Sequence, residues 1–559
     1  MKNNPFLFLI ATLFLSISAL SAQTLDAKLS AEIDKLLQGH FKPDGSGATV
    51  LVSQKGKVLY HKAFGMANLE LGVPMRTDHV FRIGSITKQF TGAAILKLAE
   101  EGKLSIQDDL TTFLPDYPTQ AKKITVEHLL THTSGIKSYT GMKEWDEAMH
   151  RKDFTPTELI ALFKDQPIDF EPDAEWRYNN SGYILLGYII EKVSGQTYAE
   201  YITEQFFKPL GMKNSYYGDT KPLIKNRATG YSQGEAEGKY VNADFLSMTQ
   251  PYAAGSLLST VEDLNIWTRA LHGGKVLKPE SFKKATTPYI LPNGTNTHYG
   301  YGLQMSNLLG SLTVEHGGGI HGFLSDLVYL SQEDVCVAIL TNCDCEPPRE
   351  LTPRIAALVI GKPYQPTAIT VDSKELEQYV GVYENEKKEQ RIIRIENGQL
   401  SSRRTGGSKF NLKPYAPDAF FFEESFARIT FIREKGGSKK VIEANVDDRV
   451  AAENLWVKTD KPLPAIRPEI QLSEAQLAPF AGEYALMPGF NIAVTQEGKQ
   501  LFCQATGQSN VEIFATSPTR FFLKVVEADI EFYPEENGTV NKMVLFQGGQ
   551  EMEGKRVQK

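Results

Sequence analysis

The chain has 559 residues, a formal net charge of −7 and 41% hydrophobic residues, room for two to four domains at ~150 residues each. It carries no basic cluster able to neutralise phosphates, which disfavours nucleic-acid binding. Its four cysteines, Cys336, Cys343, Cys345 and Cys503, are too few for a disulfide framework at this length, and Cys343-Asp344-Cys345 reads as a chance pair.

Residues 1–22 read as a secretory signal. Lys2 gives a charged start, residues 6–20 form an uncharged apolar run, and Ala19-Leu20-Ser21-Ala22 offers small residues for cleavage. The run is 15 residues long, short of the ~20 that span a bilayer. No second run of spanning length follows. The mature protein is therefore expected to be exported, periplasmic or extracellular, without an integral membrane segment.

Residues 48–53 and 57–62 are β-rich and flank Gln54-Lys55-Gly56, a hairpin signal. Next comes Ser85-Ile86-Thr87-Lys88. Ile86, Phe90, Ala93, Ala94, Leu96 and Leu98 continue at helical spacing as far as Gly102. On a helix, i and i+3 share a face, so the Lys88 amine should lie beside the Ser85 hydroxyl. A serine hydroxyl is a poor nucleophile until a neighbouring group takes its proton. Many surface helices carry this spacing, so the other groups must come from elsewhere.

Further along, Thr125 can cap a short helix that Gly135 stops. His128 and His132 stand four apart within it, but Leu129 occupies the place of a metalloprotease glutamate, so no metal site is expected. Ser134 is a rival nucleophile with no amine beside it. Tyr178-Asn179-Asn180 lies on a loop entering an apolar helix, a place for exposed chemistry. A tyrosine near a lysine ammonium can have its phenol pKa lowered, making Tyr178 a candidate base, and Asn180 offers an amide. Ser259 or Thr260 caps a later helix. His316-Gly317-Gly318-Gly319 sits between the strand-like residues 312–314 and 324–330, and residues 335–340 follow after a turn. Three antiparallel strands are the simplest reading, with glycines that let a substrate approach the backbone.

Together these residues resemble the class C-like branch of the serine β-lactamase and penicillin-binding-protein group. Ser85-x-x-Lys88, Tyr178-x-Asn180 and His316-x-Gly318 match its three motifs, in family order, over about residues 28–360. The resemblance implies an α+β fold, an antiparallel sheet flanked by helices. It implies an acyl-serine hydrolase acting on an amide or ester, D-amino-acid peptides included, with no metal or cofactor and a small-molecule or peptide substrate. Ser85 would be the nucleophile, Lys88 its activating amine and Tyr178 a general acid/base. Asn180, His316, Gly318 and Gly319 would bind substrate, with the Gly319 N–H joining that of Ser85 in an oxyanion hole. His316 stands where many members have lysine, and Gly317 where many have threonine. Both departures remove handles for a substrate carboxylate, so weak β-lactamase and carboxypeptidase activity is expected. An acyltransferase, a β-lactamase or DD-carboxypeptidase, and an acylated sensor with little turnover are the rival readings.

The last third repeats itself. Gly381, Leu400, Phe421 and Phe431 recur as Gly482, Leu501, Phe522 and Phe532, always 101 positions later. Alternating apolar runs argue β-structure, and each copy reads as a small barrel. Expected boundaries are 23–362 for the hydrolase, then 367–460 and 467–559 for the barrels. This order resembles the D-aminopeptidases of the same group.

Overall fold

The computed structural model describes residues 27–557 except 220, 235–237, 346–347, 363, 406, 424, 436–439, 448, 450–453, 465–467, 488–489, 507, 509 and 527. The expected signal at residues 1–22 lies outside the described residues. The chain divides into two compact units, one ending at Tyr364 and the other starting at Gln365.

In the first unit, β1 (Ala48–Gln54) and β2 (Lys57–Phe64) form the expected hairpin. Lys55 and Gly56 both take positive φ at its tip, the backbone that a tight two-residue turn demands. A 3-10 turn over Gly84–Ile86 leads into α1 (Thr87–Glu100). Then come α2 (Val126–Leu130), α3 (Asn180–Ser194) and α4 (Val261–His272). The unit closes with β3 (Gln304–Leu308), β4 (Ser311–Ile320), β5 (Phe323–Leu330), β6 (Val335–Thr341) and α5 (Pro348–Val359). Six of these strands make one antiparallel sheet in the order β3-β4-β5-β6-β1-β2. Hairpins make every pairing except β6–β1, where Leu51 faces Ala338.

The apolar run of β6 is buried along its whole length, with α5 packed on β5 and β6 and α4 on β6 and β1. That cover explains why a central strand can be apolar on both faces. Helix α1 is buried nearly all round rather than along one stripe. Phe90 stacks on Trp267 of α4 at 3.9 Å, and Gln89 accepts the indole N–H at 2.9 Å. Thr91 donates to the Ala253 carbonyl at 2.7 Å. Polar residues inside this helix are tolerated because each finds a partner.

One expectation needs correction. The helix capped by Thr125 ends at Leu130, not at Gly135, because His132 turns to φ 64°. The three antiparallel strands expected around His316 are present, and the glycines after it belong to the first of them. These glycines continue β4 in register with β5, Gly318 facing Ser325.

The second unit holds two closed eight-stranded barrels, spanning Gly381 to Lys458 and Gly482 to Arg556. The repeat is structural as well as sequential. Tyr383 is fully buried and donates to the Tyr379 carbonyl at 2.7 Å; Tyr484, 101 positions later, donates to the Phe480 carbonyl at 2.9 Å. Tyr379 packs on Phe431 and Phe480 on Phe532, with ring centroids 4.6 and 4.7 Å apart. Tyr383→Phe and Tyr484→Phe should each leave a buried carbonyl unpaired and cost about 1–3 kcal/mol. Native-state hydrogen exchange of the full chain reads this, with faster exchange confined to the barrel that carries the substitution.

Candidate active site

Ser85 lies half-buried in the 3-10 turn ahead of α1. A 3-10 turn brings i and i+3 nearly into line. Lys88 Nζ accordingly sits 3.2 Å from Ser85 Oγ. The Lys88 side chain is fully buried, and burial alone drives its pKa well below the ordinary lysine value. Its other partners are the Ala254 carbonyl at 2.8 Å and Asn180 Oδ1 at 2.9 Å. Both can only accept. A neutral amine has two N–H groups and one lone pair. In the neutral form that burial favours, the two acceptors would take the N–H groups and leave the lone pair for the serine hydroxyl.

Asn179 caps α3, its Oδ1 accepting the Gly182 N–H at 3.0 Å, so Tyr178 stands just outside the helix on extended chain. The Tyr178 ring centroid is 4.8 Å from Lys88 Nζ, and its phenol hydrogen-bonds Ser85. The residue is 36% exposed to the cleft, yet burial of its hydroxyl end raises the phenol pKa, against smaller lowering effects from Ser85 and Arg349. This reverses the sequence expectation of a lowered phenol. That expectation required a charged amine beside the ring, and burial disfavours the charged form of Lys88 while raising the phenol itself. Asn180 has both ends occupied, its oxygen on Lys88 and its nitrogen 3.1 Å from Thr140 Oγ1.

Strand β4 forms the facing wall. His316 is buried; its Nε2 lies 2.9 Å from the Tyr299 hydroxyl and its Nδ1 2.6 Å from the Gly317 carbonyl. Burial first, then Lys88, pushes its pKa down to about 3, so the ring is neutral. The glycines are dictated by close approach. A Cβ at Gly318 would fall 2.1 Å from the Ile83 carbonyl oxygen. One at Gly84, whose φ is 49°, would fall 3.0 Å from Gly319 N. The serine turn and β4 thus pack backbone to backbone, and Ser325 Oγ donates to the Ile83 carbonyl at 2.9 Å across the junction. A cleft of about 440 Å³ opens between Ser85, Tyr178 and the β4 glycines. All seven residues singled out in the sequence meet in this neighbourhood.

Some participants were not anticipated. Arg349, at the start of α5, lines the cleft beside Gly317 and donates to Gln304 Oε1 at 2.7 Å. The cleft therefore has a cation after all, supplied from beyond the third motif, where nothing in the sequence marked it. Tyr299 and the Ala254 carbonyl were equally silent. Ser134 is buried and accepts the Ile136 N–H at 3.3 Å, away from any amine partner. His128 serves the α2 cap, its Nδ1 accepting the Thr125 N–H at 3.3 Å. Cys343 and Cys345 are disulfide-bonded to each other, which corrects the reading of a chance pair.

The family model described as Beta-lactamase matches residues 33–360, more than half of the chain. The chain belongs to the β-lactamase family. This β-lactamase-family protein is a serine hydrolase by fold and lineage. Its second unit matches a domain of unknown function (DUF3471) twice, at residues 365–459 and 467–556. Penicillin-binding protein 4* of Bacillus subtilis (strain 168) is 27% identical over 526 residues, 91% of this chain and 94% of that protein. Among solved structures, the octameric penicillin-binding protein homologue from Pyrococcus abyssi is 28% identical, with a TM-score of 0.53 over 77% of this chain and 99% of its own. A D-stereospecific amidohydrolase from Streptomyces sp. is 27% identical, with a TM-score of 0.52 over 59% and 99%.

If the Lys88 amine is neutral at rest, carbon NMR of ε-labelled lysine should find one free amine at pH values where the remaining lysines are ammonium. Replacing Asn180 by leucine removes one acceptor and should move that resonance. A Lys88 signal that titrates with the surface lysines contradicts the assignment.

Proposed function

We propose that this protein is an exported acyl-serine hydrolase of amides or esters, D-amino-acid peptides included. Ser85 attacks the carbonyl while Lys88 takes its proton. The oxyanion accepts from the N–H groups of Ser85 and Gly319, each such donor contributing on the order of 3 kcal/mol. The bond to the leaving group breaks, and that group departs with a proton from Tyr178, which Lys88 restores. Water then attacks the acyl-serine by the same path in reverse and releases the acid. His316 and Gly318 form the wall along which the substrate lies, and Asn180 holds the amine in place. No metal or cofactor enters the scheme. The observation that carries the reading is the pair of acceptors on Lys88, which turn its lone pair toward Ser85 Oγ.

The substrate class is favoured by the relatives, one of which is a D-stereospecific amidohydrolase. Export is favoured by the leader-like residues 1–22. We also take residues 23–362 as the hydrolase and 367–460 and 467–559 as appended barrel domains. Among the described residues no helix is long and apolar enough to cross a membrane.

Two measurements test the scheme. Intact-protein mass spectrometry after exposure to a panel of esters, D-amino-acid amides and β-lactams should find adducts on Ser85 that vanish in Ser85→Ala. The pH profile of kcat/KM for an uncharged ester should rise through a pKa below the lysine range, as Lys88 sheds its proton. It should fall only above the ordinary tyrosine range, as Tyr178 ionises. Lys88→Met should lose about 10²–10⁴-fold, the range of general-base catalysis.

Arg349 favours a second reading, in which the acyl donor carries a carboxylate, as β-lactams and D-alanine-terminated peptides do. The guanidinium lines the cleft with its Nε 3.8 Å from Asp326 Oδ1 and one amino group on Gln304, and its remaining N–H groups can receive that carboxylate. Arg349→Ala should then raise KM for carboxylate substrates about tenfold while leaving their methyl esters unchanged, one lost charge-assisted contact amounting to roughly that factor. Equal effects on acid and ester would remove this reading.

A further inference from the structure

His132 belongs to no motif of the three, yet its ring packs among those of Trp176, Tyr178, Tyr183 and Tyr299. Its side chain is fully buried, 1% exposed, and its backbone is held at φ 64°, a conformation that a non-glycine residue adopts only when its surroundings impose it. Its carbonyl accepts the Arg177 N–H at 3.1 Å. Its Nδ1 accepts the Asn179 N–H, also at 3.1 Å. The two bonds bracket Tyr178 on either side. The imidazole also lies against the Tyr178 ring, with centroids 4.4 Å apart, and against Tyr299 at 4.7 Å.

The tautomer follows from the partners. A backbone N–H can donate only to an unprotonated nitrogen, so the ring proton sits on Nε2. Nε2 is buried and has no hydrogen-bond partner among the described residues. Burial, and then the neighbouring Lys88 and His316, hold the ring neutral. Protonation at Nδ1 would set donor against donor at Asn179 and release the loop.

We propose that His132 is a positioning residue for the hydrolytic reaction. Its neutral Nδ1 and its ring face fix the Tyr178 phenol where it can deliver a proton to the leaving group. This rests on the role given above to Tyr178. The helix-spaced histidine pair, at which the sequence predicts no metal site, is thereby given other tasks. His128 turns to the cap of its own helix, and His132 turns beneath the phenol.

The test is the dependence of rate on the leaving group. An aryl ester with a strongly stabilised phenolate departs without a proton, whereas an alkyl ester or amide needs one. The full chain is assayed with both, as wild type, His132→Phe and His132→Asn, each with and without Tyr178→Phe. Ser85 labelling by a fluorophosphonate counts the competent sites. His132→Phe keeps a ring but loses the acceptor; it should slow the alkyl ester about 10–100-fold more than the aryl ester, within the usual worth of a general acid. His132→Asn restores an acceptor near Nδ1 and should recover much of that loss. In the Tyr178→Phe background either substitution should cost little more, because residues acting through one group are not additive. Equal losses on both esters, or undiminished losses without the phenol, overturn the proposal and leave His132 a packing residue. If His132→Phe does not fold, the comparison of His132→Asn in the two backgrounds decides alone. If Tyr178→Phe itself leaves the leaving-group dependence unchanged, the role of Tyr178 fails first, and the two failures are told apart.

Discussion

The structure depends on the desolvation of one amine. Moving a lysine ammonium out of water costs several kcal/mol unless an opposite charge meets it. Among the described residues Lys88 has carbonyl and hydroxyl partners but no carboxylate. Burial therefore disfavours its charged form and drives its pKa well below the ordinary lysine value. Burial acts on the neighbouring groups as well. It raises the phenol pKa of Tyr178, which keeps its proton. His316, in a position that often carries lysine, stays neutral. Acid and base are thus separated by burial, the pattern by which one pocket holds a proton donor and a proton acceptor at the same pH.

The fold supplies the burial. Helix α1 is enclosed by α3, α4, the short helix Tyr252–Gly255 that carries Ala254 and the loop that carries Tyr301, so Lys88 reaches the cleft from within the core rather than from the surface. The sheet supplies the other half. Because Gly318 and Gly84 lack side chains, β4 meets the serine turn at backbone distance, and two N–H groups from remote parts of the chain can share one small volume. Neither layer would suffice alone. The helix and the turn ahead of it carry Lys88 and Ser85, whereas the strand carries the glycine backbone that faces them.

Much of this was legible in the sequence, and the limits are physical. The hairpin at residues 48–62 and the strands after His316 were marked by β-branched alternation and turn residues, both local signals. The Ser85 helix was marked by its apolar spacing, although that spacing understated its burial, since Thr87, Gln89 and Thr91 look exposed on paper and are interior. The end of α2 was misplaced because Gly135 resembles a helix stop, while the actual stop is a histidine held by tertiary contacts. The proton affinity of Tyr178 was read with the wrong sign, because the protonation state of Lys88 is a property of its enclosure. Arg349 and Tyr299 carried no pattern; they reach the site only through the pairing of β3 and β4 and the packing of α5. The repeat after residue 365 was visible because both copies keep the same ring contacts.

Those barrels bear on how the molecule behaves in company. An open sheet ends in two strands whose outer backbone groups can recruit a strand from another molecule, and β2 and β3 are such margins in the first unit. Each barrel instead joins its last strand to its first, so among the described residues neither has a margin to offer. A large share of β-structure is thereby appended without adding a template for clumping.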